Sequence, residues 1–221
     1  MLVEWPAGEV RPLPLEGLGE HYRRYRLPDA EAESAMARSL ERYGQIAPIV
    51  VWQREETAEV IDGFKRLAAA RTMPRLRTLS ARRLPGDERS AKAAIYGLNR
   101  EGRPTRELEE AWIVQALVRE DGLTQVEAAE LLGRHKSWVC RRLALLEKLA
   151  AEAREDLRLG LLSVTAARSL VRLPAGNQAE VLVTARREGL SSIELRDVVG
   201  LLEQAASREQ EEYILAKPRD A

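Results

Sequence analysis

Residues 123–149 read LTQVEAAELLGRHKSWVCRRLALLEKL, and this stretch has the pattern of two short helices joined by a tight turn. The Thr124 hydroxyl can cap the first helix, and Glu127, three residues on, can reach back to the Thr124 amide, which is a reciprocal capping box. Val126, Ala129 and Leu132 are expected to form the buried stripe of that helix. Gly133 falls where the turn needs a residue without a Cβ, and Ser137 is expected to start the second helix. Val139, Leu143 and Leu146, at spacings of four and three, would hold that second helix against the first. Arg134, His135, Lys136, Ser137, Trp138, Arg141 and Arg142 are left for its outer side, and the chain has no acidic residue between Leu131 and Leu146. Such a face suits the major groove of DNA, with Thr124 and Gln125 at the start of the first helix beside it. Arginine and lysine can pair with guanine or lie on phosphates, and helix amino termini attract phosphate. The alternative is a solvated basic helix in an ordinary bundle. Trp138 has two readings, a base contact or a core residue beside Val139.

Composition narrows the setting. The chain has 221 residues, 45% hydrophobic and 32% charged, with 35 basic and 35 acidic residues, so any nucleic-acid contact must come from a local basic face. Its one cysteine, Cys140, excludes an internal disulfide and a multi-cysteine zinc site, which fits a reducing compartment and a cytoplasmic location. No segment approaches the roughly 18 apolar residues of a membrane span, and the amino terminus lacks the basic and apolar regions of a signal peptide. His21 and His135 have no metal-ligand spacing, and no metal site is expected.

Upstream, Val10 to Leu15 reads as a short extended piece. Asp29 can cap a helix with Met36, Leu40 and Tyr43 on its apolar face and Gly44 as its stop. IAPIVVW (46–52) and AEVID (58–62) suggest paired strands. Gly63 marks a strand-to-helix turn whose uncovered amides, with Lys65 and Arg66 beside them, could cradle an anion, although a purely structural turn with a solvated basic pair is the preferred reading. A further strand is expected around Leu76, Thr78 and Ser80, and SAKAAIYGLNREG is expected to be a helix ending near Gly97. From Thr105 the pattern becomes continuously helical, which places a domain boundary at 99–105. Leu108, Trp112, Ala116 and Leu117 give the next helix one apolar face. Asn177 with Glu180 and Ser191 with Glu194 read as two further capping boxes. The expected architecture is an α+β domain over 1–100, an all-α domain over 101–208 with the helix-turn-helix at 124–146, and a polar, fraying tail at 209–221.

The order of these segments resembles the ParB family of plasmid and chromosome partition proteins, over roughly residues 10–205. SLERYGQIAPIVV (39–51) is similar to the family segment SIKEHGLLQPIVV, IDGFKRLAAAR (61–71) stands in the place of its GERR box, and residues 123–149 are similar to its helix-turn-helix. The resemblance implies a ParB/sulfiredoxin-like amino-terminal domain that holds CTP with magnesium, and double-stranded DNA as partner; a homodimer is expected from the geometry of the helix-turn-helix class, and a further reading is an adaptor whose helical domain docks a partner ATPase or recombinase. Carried over by position, the nucleotide residues would be Arg24 of the arginine motif, Asp62, Gly63, Phe64, Lys65 and Arg66 of the box, and Asn99 and Arg100 of the segment matching ENLQR. This sequence departs from the pattern in ways that bear on function. GERR is GFKR here, and Tyr96 and Gly97 replace the glutamate and asparagine expected near the metal and triphosphate, so family-type hydrolysis is not expected. With no dimerisation domain after residue 205, a shorter regulator or mobile-element relative is expected rather than a spreading clamp. A second reading is a nucleotide-dependent enzyme of the same domain class, a hydrolase or small-molecule kinase acting at Asp62, Lys65 and Arg66. Sulfiredoxin chemistry is set aside because Cys140 lies in the other domain.

Overall fold

The structure, a computed structural model, describes residues 5–99 and 107–220. The chain divides into two compact units, Met1–Thr105 with Arg119–Gly122, and Arg106–Val118 with Leu123–Ala221. Most of the boundary segment expected at 99–105 lies outside the described residues, as does Arg100.

The first unit is a mixed sheet with helices. Its strands are β1 (Val10–Pro14), β2 (Leu18–Gly19), β3 (Ile49–Arg54), β4 (Thr57–Asp62) and β5 (Thr78–Arg83). Among the described residues they run in the order β1-β5-β3-β4-β2. β3 and β4 form the expected antiparallel hairpin, β5 lies parallel to β3, and β1 closes the sheet antiparallel to β5. The hairpin turns over Glu55 and Glu56, with Glu55 at φ 52°, in the left-handed region that two-residue turns use. Because β3 is central, Ile49, Val50 and Val51 are all buried, so the strand reads as an apolar run rather than an alternation. In β5 the buried residues are Leu79 and Ala81. The inward face is therefore the opposite of the expected Leu76–Thr78–Ser80 series, a one-residue offset that a period of two turns into the other face.

The helices of this unit are α1 (Ala30–Tyr43), α2 (Phe64–Arg71) and α3 (Glu88–Leu98). α1 begins on the Asp29 cap, which accepts from the Ala32 amide at 3.0 Å, and stops at Gly44 as expected. Leu40 is buried, but Tyr43 is 61% exposed, with the Arg42 guanidinium 5.1 Å from its ring centre. 

The second unit is helical throughout its described residues: α4 (Glu107–Gln115) continuing as a π turn through Ala116–Glu120, α5 (Gln125–Leu131), α6 (Lys136–Glu147), α7 (Ala151–Leu159), α8 (Val164–Leu170), α9 (Ala175–Glu188), α10 (Ser192–Gln204) and α11 (Arg208–Ala216). No helix among the described residues is long and apolar enough to cross a membrane. α4 is buried nearly all round, Glu109 and Glu110 included, rather than along one stripe.

One expectation fails here for a local reason. α9 starts at Ala175, after Pro174, so Asn177 is inside the first turn and is not a cap. Its neighbour Gln178, fully buried, accepts from the Ala150 amide at 2.8 Å and donates to the carbonyls of Lys148 and Leu173, both at 2.9 Å. One amide thus satisfies three backbone groups that the ends of neighbouring helices leave unpaired. Much of the polar tail is helical. Ser207 caps α11, which packs on α9 and α10 through Ile214, 3% exposed.

The Ser191–Glu194 capping box is present, and Arg219 adds a charged partner to Glu194 at 2.9 Å. The Ser191 amide and hydroxyl, then Arg219, hold the Glu194 carboxyl well below its usual range, at about 2. A depressed acid contributes stability that is complete above its ordinary value of 4.5 and disappears as pH falls towards 2. Glu194→Gln keeps an acceptor for the amide but does not titrate. Its melting temperature is expected to fall less than that of the parent over this acid range, as read by thermal melts at stepped pH. Parallel curves for the two proteins would refute this.

Candidate nucleic-acid interface

The helix-turn-helix forms at the expected place. Thr124 and Glu127 make the reciprocal box, with the Thr124 amide donating to Glu127 Oε2 at 2.8 Å and the Glu127 amide to Thr124 Oγ1 at 3.2 Å. Gly133 takes φ 61°, and the Arg134 amide behind it donates to the Ala129 carbonyl at 2.8 Å, which closes the turn. α6 begins one residue earlier than expected. Its cap is His135, whose Nδ1 accepts from the Ser137 amide at 3.3 Å, so Ser137 sits inside the first turn. In α5 the buried residues are Ala128 and Ala129, with Leu132 at its end, while Val126 is 47% exposed. The buried stripe is thus shifted from the expected one onto Ala128 and Ala129, in a helix that packs on α6.

The cationic set divides into two groups. Arg134, His135, Lys136, Ser137 and Arg141 are exposed, with Cys140 among them. Cys140 Sγ lies 2.8 Å from Gln125 Oε1, which ties the start of α5 to the middle of α6. Arg142 and Trp138 do not join this face. Arg142 is buried, its Nε donating to Glu110 Oε2 at 2.6 Å and its guanidinium 3.1 Å from Glu107 Oε2, both on α4. The expectation that Arg142 faces outward is therefore corrected: position 142 turns towards α4, and the carboxylates there compensate a charge that could not otherwise be buried. Burial pushes the Glu110 carboxyl above its ordinary value, against the opposing pull of Arg142. Trp138 is 9% exposed and follows its core reading, with the Arg142 guanidinium 4.8 Å and the Arg134 guanidinium 5.3 Å from its ring centre. Sequence reasoning missed Glu107 and Glu110. The signal available was three glutamates, Glu107, Glu109 and Glu110, crowded into the first turn of a helix whose remaining residues are mostly apolar, which asks for a buried partner.

At the amino-terminal turn the structure brings Asp62, Gly63, Phe64, Lys65 and Arg66 together. Gly63 has φ 102°, and a Cβ there would lie 2.5 Å from Ile49 Cγ2. The side chains, however, address the protein itself. Lys65 Nζ donates to Asp29 Oδ2 at 3.1 Å, and Arg66 donates to the carbonyls of Ala47 at 2.7 Å and Pro48 at 2.6 Å and to Asp62 at 3.4 Å. Phe64 is buried, with the guanidinium of Arg23 rather than Arg24 at 6.0 Å from its ring. Arg24 is bonded instead to the Tyr25 hydroxyl at 2.7 Å and to Glu120 at 3.0 Å. Asn99 donates to the Ile95 carbonyl at the end of its own helix, at 2.7 Å. Among the described residues no three metal-ligating side chains converge. Arranged in this way, the set does not fit a magnesium-bound triphosphate, since its cations already serve internal oxygens.

Comparisons with known proteins bear on the second unit most directly. Residues 105–204 match the family model described as the ParB HTH domain. The chain is 33% identical over 141 residues to a nucleoid occlusion protein of Halalkalibacterium halodurans, covering 62% of this chain and 49% of that one. It is also 33% identical over 194 residues to the chromosome-partitioning protein Spo0J of Thermus thermophilus, covering 86% and 70% respectively. It thus spans about half the length of the first relative and more of the second. A crystal structure of C-terminally truncated ParB from Caulobacter crescentus, complexed to the centromeric parS site, has a TM-score of 0.55 at 21% identity, covering 88% of this chain and 100% of that one. That likeness is one of fold.

Proposed function

The chain belongs to the ParB family, and from that premise we propose that it binds double-stranded DNA, with α6 entering the major groove. One observation carries the reading: Arg134, His135, Lys136 and Arg141 are exposed on and just before α6, and the chain is free of acid from Leu131 to Leu146. The amino terminus of α6 adds amide dipoles that suit phosphate. The biological role proposed with it is that named for its relatives, chromosome partition or nucleoid occlusion. A homodimer presenting two such helices about 34 Å apart would read a palindromic site. The amino-terminal turn is proposed as a degenerate CTP pocket, supported by the internal partners of Lys65 and Arg66.

The test is a duplex selected from a randomised pool by the full chain. Lys136→Ala and Arg141→Ala are each expected to weaken binding by about 1–3 kcal/mol where the side chain meets a base, with discrimination relaxed at one position. A side chain on phosphate instead weakens all sequences alike and lowers the salt slope by about one. Unchanged affinity and discrimination in the double variant would end this assignment.

A further inference from the structure

A side-chain bond on the exposed side of the helix-turn-helix joins Gln125, in the first turn of α5, to Cys140, in the middle of α6. The thiol donates to Gln125 Oε1, with Sγ 2.8 Å away. Cys140 is exposed and Gln125 half-buried, and Ser137, Cys140 and Arg141 share one face of α6 at spacings of three and four residues. The pair therefore lies at the surface read above as the DNA face. A carboxamide has an acceptor end and a donor end, and either can be turned to a ligand when nothing holds it. Here the acceptor end is turned to the thiol, and Nε2 has no hydrogen-bond partner among the described residues. What Gln125 offers outward is thus a pair of N–H donors. Phosphate oxygens accept and never donate, and the first helix of a helix-turn-helix is the element that crosses the DNA backbone.

We propose that Gln125 is an uncharged contact to one phosphate oxygen of the duplex, and that Cys140 is the positioning residue that holds its carboxamide donor end outward, so that α6 is tied through Gln125 to the DNA backbone and its register in the groove is fixed. The proposal rests on the DNA-binding reading above and adds to it a contact of a different kind. A lysine or arginine on phosphate neutralises a charge and releases counterions, which makes its contribution salt-dependent. An amide N–H on the same oxygen gains a hydrogen bond and neutralises nothing. Holding the carboxamide beforehand removes part of the rotamer freedom that it would otherwise lose on binding. Serine at position 140 would keep a donor for Oε1, whereas alanine would leave the carboxamide free to turn.

The experiment is a double-variant cycle on the full chain with the selected duplex, in reducing buffer at stepped salt concentrations, with melting temperatures recorded for each protein. Gln125→Ala is expected to weaken binding to every sequence about fivefold, the size of one hydrogen bond, with the salt slope unchanged. Cys140→Ala is expected to weaken it about twofold to threefold, the double variant to be no weaker than Gln125→Ala alone, and Cys140→Ser to keep the parental affinity. With neutral methylphosphonate placed at one backbone linkage at a time, a single linkage is expected to remove most of the Gln125→Ala penalty. Parental affinity in Gln125→Ala, or relaxed discrimination at one base position, would overturn the phosphate contact. A Cys140→Ala loss that persists in full beside Gln125→Ala, or that Cys140→Ser shares, would overturn the positioning role. Should Gln125→Ala fail to fold, the same linkage scan is read on Cys140→Ala against Cys140→Ser, where one sensitive linkage supports the proposal and none overturns it. Failure of the wider reading looks different, because Lys136→Ala with Arg141→Ala would then leave binding untouched.

Discussion

Arg142→Ala is expected to lower the unfolding free energy by about 3–5 kcal/mol, the usual cost of removing one member of a buried ion pair. The loss is large because Glu110 stays behind on α4 without its closest partner, while Glu107 keeps Arg168, and burial already disfavours the ionised form of Glu110. Arg142→Lys restores a charge without the fork that reaches both carboxylates, and is expected to recover only part of the loss. Replacing the pair together, Arg142→Met with Glu110→Leu, is expected to be close to neutral, since well-packed apolar groups of similar volume often match a buried pair in stability. Urea denaturation followed by far-ultraviolet circular dichroism reads all three. If Arg142→Ala unfolded at the parental midpoint while losing only DNA affinity, the buried pair would be wrong and Arg142 would return to the DNA face.

Gly63→Ala carries the second large effect. The position has φ 102° and ψ 19°, which a side chain adopts at a cost of about 1–2 kcal/mol. The added Cβ would also meet Ile49 Cγ2 at 2.5 Å and Ile49 Cβ at 3.0 Å, and Ile49 is fully buried in the central strand β3 and cannot withdraw. Overpacking of this kind costs about 1–3 kcal/mol, so the two effects together give roughly 2–5 kcal/mol, measured in the same denaturation experiment. Because the clash is specific, Gly63→Ala combined with Ile49→Ala should cost less than the sum of the separate losses. Strict additivity would show that Ile49 is not what forbids a side chain there. Gly63 is therefore demanded by the packing of β3 under the turn, whatever the turn binds.

The sequence by itself determined the elements and their punctuation. Thr124 with Glu127, Gly133, the Asp29 cap and the IVV run of β3 act through neighbours within a few residues, and such local signals survive without knowledge of the rest of the chain. They were enough to separate an α+β unit from a helical one and to mark α5 and α6 as a helix-turn-helix. Tertiary structure decided which side chains are available to a ligand. Arg141 and Arg142 are adjacent and chemically identical, but one is exposed and the other bonds Glu110, 32 positions away. Lys65 and Arg66 could be read as an anion cradle or as a solvated basic pair, and the packing of α1, α2 and the approach to β3 gives them Asp29, Ala47 and Pro48 instead. The physical reason is common to both cases. The environment of a charge is set by whichever carboxylate or carbonyl the fold places within about 3 Å of it, and periodicity along one helix carries no information about that partner.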